Sequence, residues 1–436
     1  MSTAVGRALD GRAHASPDTG SRDRLWTSQF VLLLVSAVFM YMSTFMLTPT
    51  LPLFVVRVGA GDLAVGGVIV AAYTLGSLLP RVFWGNLADR WLRQGVYLIG
   101  VAIIAVLSPM FAVTVVLPVI IGLRFLQGVG FSGASTSASA MSVDLIPTSR
   151  RAEGVGFYSL ANTVGMAIGP DLGLTMLQHF GPGWLFATSV ISGVAAFGLG
   201  LFVRYEPRAR RVSDAVADDV EVGTVDPTAT EPTMLIVPTS VAPSSSLHRY
   251  IEPAVLPVCL IFLFVVIPYG AIMAFVAAYG LEQGVSQIGL YFTVFAVALF
   301  VVRLFIGRVS DRYGATVVFV PGTVAMFVGL VVLWWANSLP VFLVSAVVFG
   351  LGYGVVLPLL QASAFHFVTP ARRGTASATL FATADIAYGL GAILLGLAMS
   401  HLDHRLAFAG LSIVTLVALP SYFLVLRPRL RAIGRA

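Results

Sequence analysis

Apolar runs of some twenty residues or more, parted by short polar loops, recur along the whole chain. A helix needs roughly 20 apolar residues to cross the hydrocarbon of a bilayer. The runs accommodate twelve, at about 28–56, 62–86, 95–113, 115–144, 152–178, 183–203, 252–279, 286–307, 315–336, 340–368, 373–400 and 406–427. A shift of 222 residues lays the first part of this pattern on the second. It takes Arg81 to Arg303, Gly85 to Gly307, Asp89 to Asp311, Arg90 to Arg312, the pair Arg150-Arg151 to Arg372-Arg373, and Gly128 and Gly130 to Gly350 and Gly352. One register held over some seventy residues reads as a duplicated unit. The predicted fold is all-α, with twelve transmembrane helices in two pseudo-symmetric six-helix bundles.

Composition agrees with a membrane protein. Of 436 residues, 58% are hydrophobic and 11% charged, with mean hydropathy +0.92; soluble domains carry about 25% charged residues. The pattern breaks once, where acidic residues and a Pro/Thr/Ser run occupy 205–249. This divides the chain into an N-terminal tail (1–26), a first bundle (27–204), a cytoplasmic linker (205–249), a second bundle (250–428) and a C-terminal tail (429–436). The first 25 residues are polar and arginine-bearing, so no cleavable signal peptide is expected. The one cysteine, Cys259, lies in an apolar run and reads as a small buried hydrophobe.

All 26 basic residues are arginine. Twenty-one fall in the tails and on one set of loops, two (Arg57 and Arg405) on the opposite set, and three (Arg81, Arg124 and Arg303) inside helices. The positive-inside rule then sets both termini in the cytoplasm of a multi-pass cell (inner) membrane protein. The net charge of +6 therefore addresses topology, and no nucleic-acid partner is expected.

The duplicated motif carries chemistry. Gly85-Asn86-Leu87-Ala88-Asp89-Arg90 with Arg93 lies between the second and third predicted helices, and Gly307 to Gly314 echoes it between the eighth and ninth. The glycine is read as permitting a tight helix exit. Asp89 is placed to meet the positive end of the helix beginning near Arg372 to Thr375. Arg93 is placed to pair with Asp144, at the same end of the fourth helix. With Asp311 and Arg312, these form an expected cytoplasmic gate. The motif pair resembles the major facilitator superfamily, over the whole chain outside tails and linker. Two positions depart from that family's pattern: Leu92 stands where glycine is frequent, and Ala315 where the first copy has Arg93.

Two further segments are similar to motifs of that superfamily. Arg124 to Gly130, with Gly133, resembles its helix-4 motif in proton-coupled members. Gly165, Gly169, Pro170 and Gly173 resemble the helix-5 motif of antiporters and drug exporters. Glycines there allow close packing and proline loosens the helix. A charge deep in lipid costs at least ~2.5–3.5 kcal/mol, so Arg124 and Asp171 need partners or a wet cavity. Each lies 20 residues from the loop that joins the fourth helix to the fifth, so both sit roughly 30 Å along their helices from it. Equal depth predicts an Arg124–Asp171 pair. Asp385, about 12 residues past Arg373, falls near the midplane. It reads as a proton carrier or as a structural partner of Arg81 or Arg303.

No phosphate cradle for nucleotide, no nucleophile triad and no metal-ligand spacing is present, so neither enzyme chemistry nor a cofactor or metal is expected. Among the aromatics, Phe131, Tyr158, Tyr269, Phe275 and Phe381 are candidates to line a cavity. Paired halves of this kind carry a site across the bilayer in many secondary transporters. The expectation is a monomer that exchanges protons for a small, partly apolar compound. Uptake of a sugar or other nutrient, and a non-transporting sensor, stand as alternatives. The helix-5 motif favours export.

Overall fold

The computed structural model describes residues 25–90, 92–147, 150–204, 252–369 and 372–432. The residues before 25 and after 432 and the whole 205–249 linker thus lie outside the described residues. Among these residues every regular element is helical. They are α1 (Ser28–Arg57), α2 (Leu63–Leu78), α3 (Arg81–Arg90), α4 (Arg93–Leu107), α5 (Leu117–Leu145), α6 (Arg151–Thr175), α7 (Pro182–Leu201), α8 (Leu256–Glu282), α9 (Leu290–Tyr313), α10 (Ala315–Trp334), α11 (Leu339–Phe365), α12 (Arg373–His401), α13 (His404–Ser421) and α14 (Arg427–Ala432). Nine helical stretches among them are long and apolar enough to cross a membrane. Helices also stand at the other three predicted spans (α2, α6 and α9), shorter or interrupted by charge.

Helix ends follow local chemistry. Thr27 accepts from the Phe30 N–H at 3.2 Å, Asp62 from Val65 at 2.9 Å and Asp403 from Arg405 at 3.1 Å, each answering an orphan donor of the first turn. Proline stands in the opening turn of α5, α7, α8 and α11, where its missing N–H costs nothing.

The second predicted span corrects the sequence reading. It is expected to run unbroken over 62–86, yet it splits into α2 and α3 at Leu79–Pro80. Proline removes a backbone donor, and its ring crowds the carbonyl of the preceding turn. The 222-residue shift places Val302 opposite Pro80, and α9 runs through it unbroken. Gly85 consequently lies inside α3 and not at a helix exit. A methyl added there would meet nothing within 4 Å. The glycine that does turn the chain is Gly314, at φ 86°, just before α10. Its counterpart Leu92 makes the turn at φ −67°, ψ 119°, in extended backbone open to any residue.

Packing repeats with the sequence. α1 packs on α6 and α7 as α8 packs on α12 and α13; α5 packs on α2 and α4 as α11 packs on α9 and α10. The repeat reaches single contacts. A methyl at Gly128 would strike the Tyr73 carbonyl, and one at Gly350 would lie 2.9 Å from the Phe295 carbonyl. Gly100 faces Gly130 across α4 and α5, and Gly322 faces Gly352 across α10 and α11. All four pairs of equivalents are 222 residues apart. Small residues permit such backbone approach, which compensates for the weak hydrophobic drive between helices in lipid.

The two sets of helices meet along α2 with α12, α6 with α9, and α1 with α8. The first seam runs from Leu63 against Gly396, through Gly67 on Ala392, to Thr74 beside Gly389. In the second, Thr293 Oγ1 donates to the Ala167 carbonyl at 2.9 Å. Both seams are closed toward the end that carries the 57–63 and 282–290 turns.

Candidate functional site

The α2–α12 seam ends in a charged pair. Arg81 opens α3 directly after the Pro80 break, and its Nη2 lies 2.7 Å from Asp385 Oδ2 on α12. The same Nη2 is 3.2 Å from Ser77 Oγ, and the guanidinium lies 5.9 Å from the Phe381 ring centre. The two side chains are 23% and 21% exposed, so the pair is neither sealed nor freely solvated. Of the two arginines offered by the sequence, the structure brings Asp385 to Arg81.

Arg124 has no carboxylate among its hydrogen-bond partners. It is 1% exposed; Nη1 donates to Gln127 Oε1 at 3.0 Å and Nη2 to Thr48 Oγ1 at 3.2 Å. Its guanidinium lies 4.4 Å from the centre of the Tyr73 ring, a cation–π contact. Its Nε is buried without a partner. The expected Arg124–Asp171 pair is not formed. Equal depth sets height along a helix but not direction around it. Arg124 faces α1 and α2, while α6 turns its Asp171 to the start of α9, where the carboxylate lies on Gly289.

The helix-5 stripe packs on α1. Methyls at Gly165, Gly169 and Gly173 would strike Tyr41, Met42 and Met46 in turn. Pro170 lies within α6 without ending it.

At the opposite end from the closed turns, Arg93 Nη1 lies 2.5 Å from Asp144 Oδ2, tying the start of α4 to the last turn of α5. An ion pair between Arg372 and Glu252 ties the start of α12 to the residue that caps the short helical turn leading into α8. The sequence reading missed Glu252, although a lone acid just before an apolar run was a usable signal. The side chains of Asp89, Arg90 and Asp311, and Gly307, lie outside the described residues. Arg312 is exposed in the last turn of α9.

Arg303 lies on α9 at the position equivalent to Arg81. It is partly exposed, and its Nε is buried without a partner. The Tyr269 and Tyr353 side chains are close enough to interact with its charge. Those two rings stack at 4.4 Å and 16°, and Tyr388 stands edge-on to Tyr269 at 5.6 Å. Tyr388 in turn lies within electrostatic range of Tyr73 and Arg124. Tyr73 continues to Phe131 at 5.6 Å, and Phe131 to Tyr41 at 5.9 Å. An aromatic arc therefore crosses from one set of helices to the other, with Arg124 and Arg303 along it. Of the cavity candidates, Phe131 and Tyr269 lie in this arc. Tyr158 is buried against Tyr41, Phe275 is buried in the seam against Gly66 and Gly396, and Phe381 is 47% exposed below Arg81. Tyr73 and Tyr388 escaped the sequence reading, because tyrosine in an apolar helix gives no sign of which way it faces.

Among the described residues no cluster of three or more potential metal ligands occurs. His404 pairs with Glu282, and Asp403 beside it is the cap of α13.

Known proteins share this build. The chain is similar to an uncharacterised MFS-type transporter of Salmonella typhimurium, 29% identical over 161 residues, which is 37% of this chain and 42% of that protein. It is 24% identical over 189 residues to the quinolone resistance protein NorA of Staphylococcus aureus, covering 42% of this chain and 47% of NorA. The chain thus spans less than half the length of these two curated relatives. Among solved structures, a bacterial homologue of the human lysosomal transporter Spinster, in an inward-facing unoccupied conformation, superposes with TM-score 0.70 at 17% identity, over 92% of this chain and 96% of the other. A D-xylose–proton symporter superposes with TM-score 0.68 at 15% identity, over 91% and 97%. At such identities the likeness is one of fold. The family profile of the Major Facilitator Superfamily matches residues 33–286 and 258–435. This all-helical, multi-pass membrane protein with a duplicated loop motif belongs to the Major Facilitator Superfamily of transporters.

Proposed function

We propose that this chain is a secondary transporter of the inner membrane that exports a small, partly apolar compound in exchange for protons. It has twelve spans in two six-helix bundles and both termini in the cytoplasm, and it works as a monomer by alternating access. The observation that carries the reading is the Arg81–Asp385 ion pair, which joins one half to the other where the closed seam ends. A proton taken by the Asp385 carboxylate cancels the attraction to Arg81 and lets the halves part there. Release of the proton restores the charge and the tie. Such a pair couples protonation to a two-state element.

With the motif loops on the cytoplasmic side, the closed seams face outward and the aromatic arc lies on their inner side. Arg93 and Asp144, with Asp89, Arg90, Asp311 and Arg312, then act as the cytoplasmic gate. Direction is supported by the Gly165, Gly169, Pro170 and Gly173 stripe, which packs α6 closely on α1 and resembles the helix-5 motif of exporters, and by the likeness to a quinolone resistance protein.

The test is Asp385→Asn in proteoliposomes, with an internal pH dye and an imposed proton gradient. Amide and acid have nearly the same size, but the amide cannot release a proton. The variant should lose gradient-driven transport and keep passive counterflow. Uphill transport at the wild-type rate would remove Asp385 as carrier.

A further inference from the structure

The repeat is broken at one functional position. Arg81 is neutralised across the α2–α12 seam by Asp385. The 222-residue shift takes Arg81 to Arg303, and the reverse shift takes Asp385 to Thr163. Because α6 and α9 also meet, as α12 and α2 do, the position equivalent to Asp385 on the mirror seam is held by a threonine. Thr163 carries no charge, and its hydroxyl already donates to the Ser159 carbonyl at 3.2 Å.

Arg303 therefore lacks the counter-charge that its twin has. Among the described residues it makes no hydrogen bond or ion pair, and its Nε is a buried orphan. Arg124, further along the arc, also has only neutral partners. Of the described charges deep in the fold, three are arginines and one is Asp385; Asp171 sits apart at the outer tip on Gly289. Arg303 lies ten residues before the end of α9 at Tyr313, or about 15 Å, further than an arginine side chain reaches toward the interface. A deep cation without a partner calls for an anion. Beside it stands the Tyr269–Tyr353 stack, with its rings 4.4 Å apart.

We propose that Arg303 anchors the negative group of the substrate, and that the substrate is a small aromatic or planar carboxylate held beside Tyr269. The Arg303 fork donates to the carboxylate, and the planar remainder packs on the tyrosines. This rests on the reading of the chain as a small-molecule transporter and adds the substrate's charge to it. A phospholipid phosphate offers the same chemistry and is the rival occupant.

Equilibrium binding to the full chain in nanodiscs, with no proton gradient, tests it. The probes are radiolabelled naphthoate, neutral naphthamide and cationic naphthylmethylammonium. Wild type should bind naphthoate about tenfold or more tighter than naphthamide, the scale of a charge-assisted hydrogen bond. Arg303→Gln should erase that preference while leaving naphthamide binding unchanged, and Arg303→Lys should restore part of it. Unchanged naphthamide binding also certifies that the variant is folded. A wild type that prefers the neutral or cationic probe, or that binds none of the three, overturns the proposal. So does an Arg303→Gln variant that keeps the wild-type preference. Naphthoate binding in phosphatidylcholine discs that phosphatidylglycerol abolishes would give the site to lipid and overturn the substrate assignment. Loss of proton coupling with naphthoate binding intact would fail the exchange reading and leave the anion site standing.

Discussion

Replacing both members of the Arg81–Asp385 pair should cost less than the two single losses together. The donor–acceptor distance is 2.7 Å, so the charge centres lie about 4 Å apart. At an effective dielectric of about 20, charges at that separation attract by ~4 kcal/mol. That is an upper value here, since both side chains are about one-fifth exposed. Exposed pairs return ~0.2–1 kcal/mol, while breaking a fully buried pair costs ~3–5 kcal/mol. A coupling of ~1–2 kcal/mol is the expectation between these limits. Cys259 makes the assay direct: it is the sole cysteine and it is buried, so a thiol-reactive fluorophore reports unfolding without further engineering. Arg81→Gln and Asp385→Asn should each lower Tm by a few degrees, at roughly 2 °C or less per kcal/mol for a chain of this size. The double variant should sit close to the worse single. Additive shifts would show that the two charges do not support each other, and would remove the tie from the mechanism.

Two more outcomes follow from the packing. Gly128→Ala should destabilise by ~1–3 kcal/mol, as overpacking does, and Gly350→Ala by less. The added methyl overlaps a backbone carbonyl in both cases, deeply at Tyr73 but only slightly at Phe295, 2.9 Å away; the same thiol assay ranks them, and the reverse order would refute the contact. Arg124→Ala and Asp171→Ala should add in stability within about 0.5 kcal/mol, because they face different helices. Coupling beyond that would reinstate a pair that the structure separates.

What could be read from the residues divides along a physical line. The duplicated register was legible because it needs only identity at a constant spacing, and its consequence reaches to Gly128 on Tyr73 and Gly350 on Phe295. The meeting of Arg93 and Asp144 was legible because both lie beside loops at one end of neighbouring helices. Arg124 was misassigned because counting residues yields depth, while its partners Thr48 and Gln127 depend on the azimuth of α5. The choice of Arg81 over Arg303 for Asp385 needed the α2–α12 seam, which joins residues 304 apart. The Pro80 break was visible in principle, but hydropathy ran through it.

The glycine contacts inside each half leave little slack, since Gly100 on Gly130 and Gly322 on Gly352 are already backbone to backbone. A half so built turns as a plank. With the fulcrum near Thr74 and Gly389, where α2 crosses α12, the arm of α2 back to Leu63 is about 16 Å long. A tilt of about 10° would swing that tip by roughly 3 Å, enough to lift Leu63 off Gly396. The arm toward Asp144 and Arg93 is longer, so the same tilt sweeps a wider gap on the motif side than on the other. A substrate too bulky to pass the short arm would still enter at the long one, and size selection would then fall to the mouth at the Leu63 end.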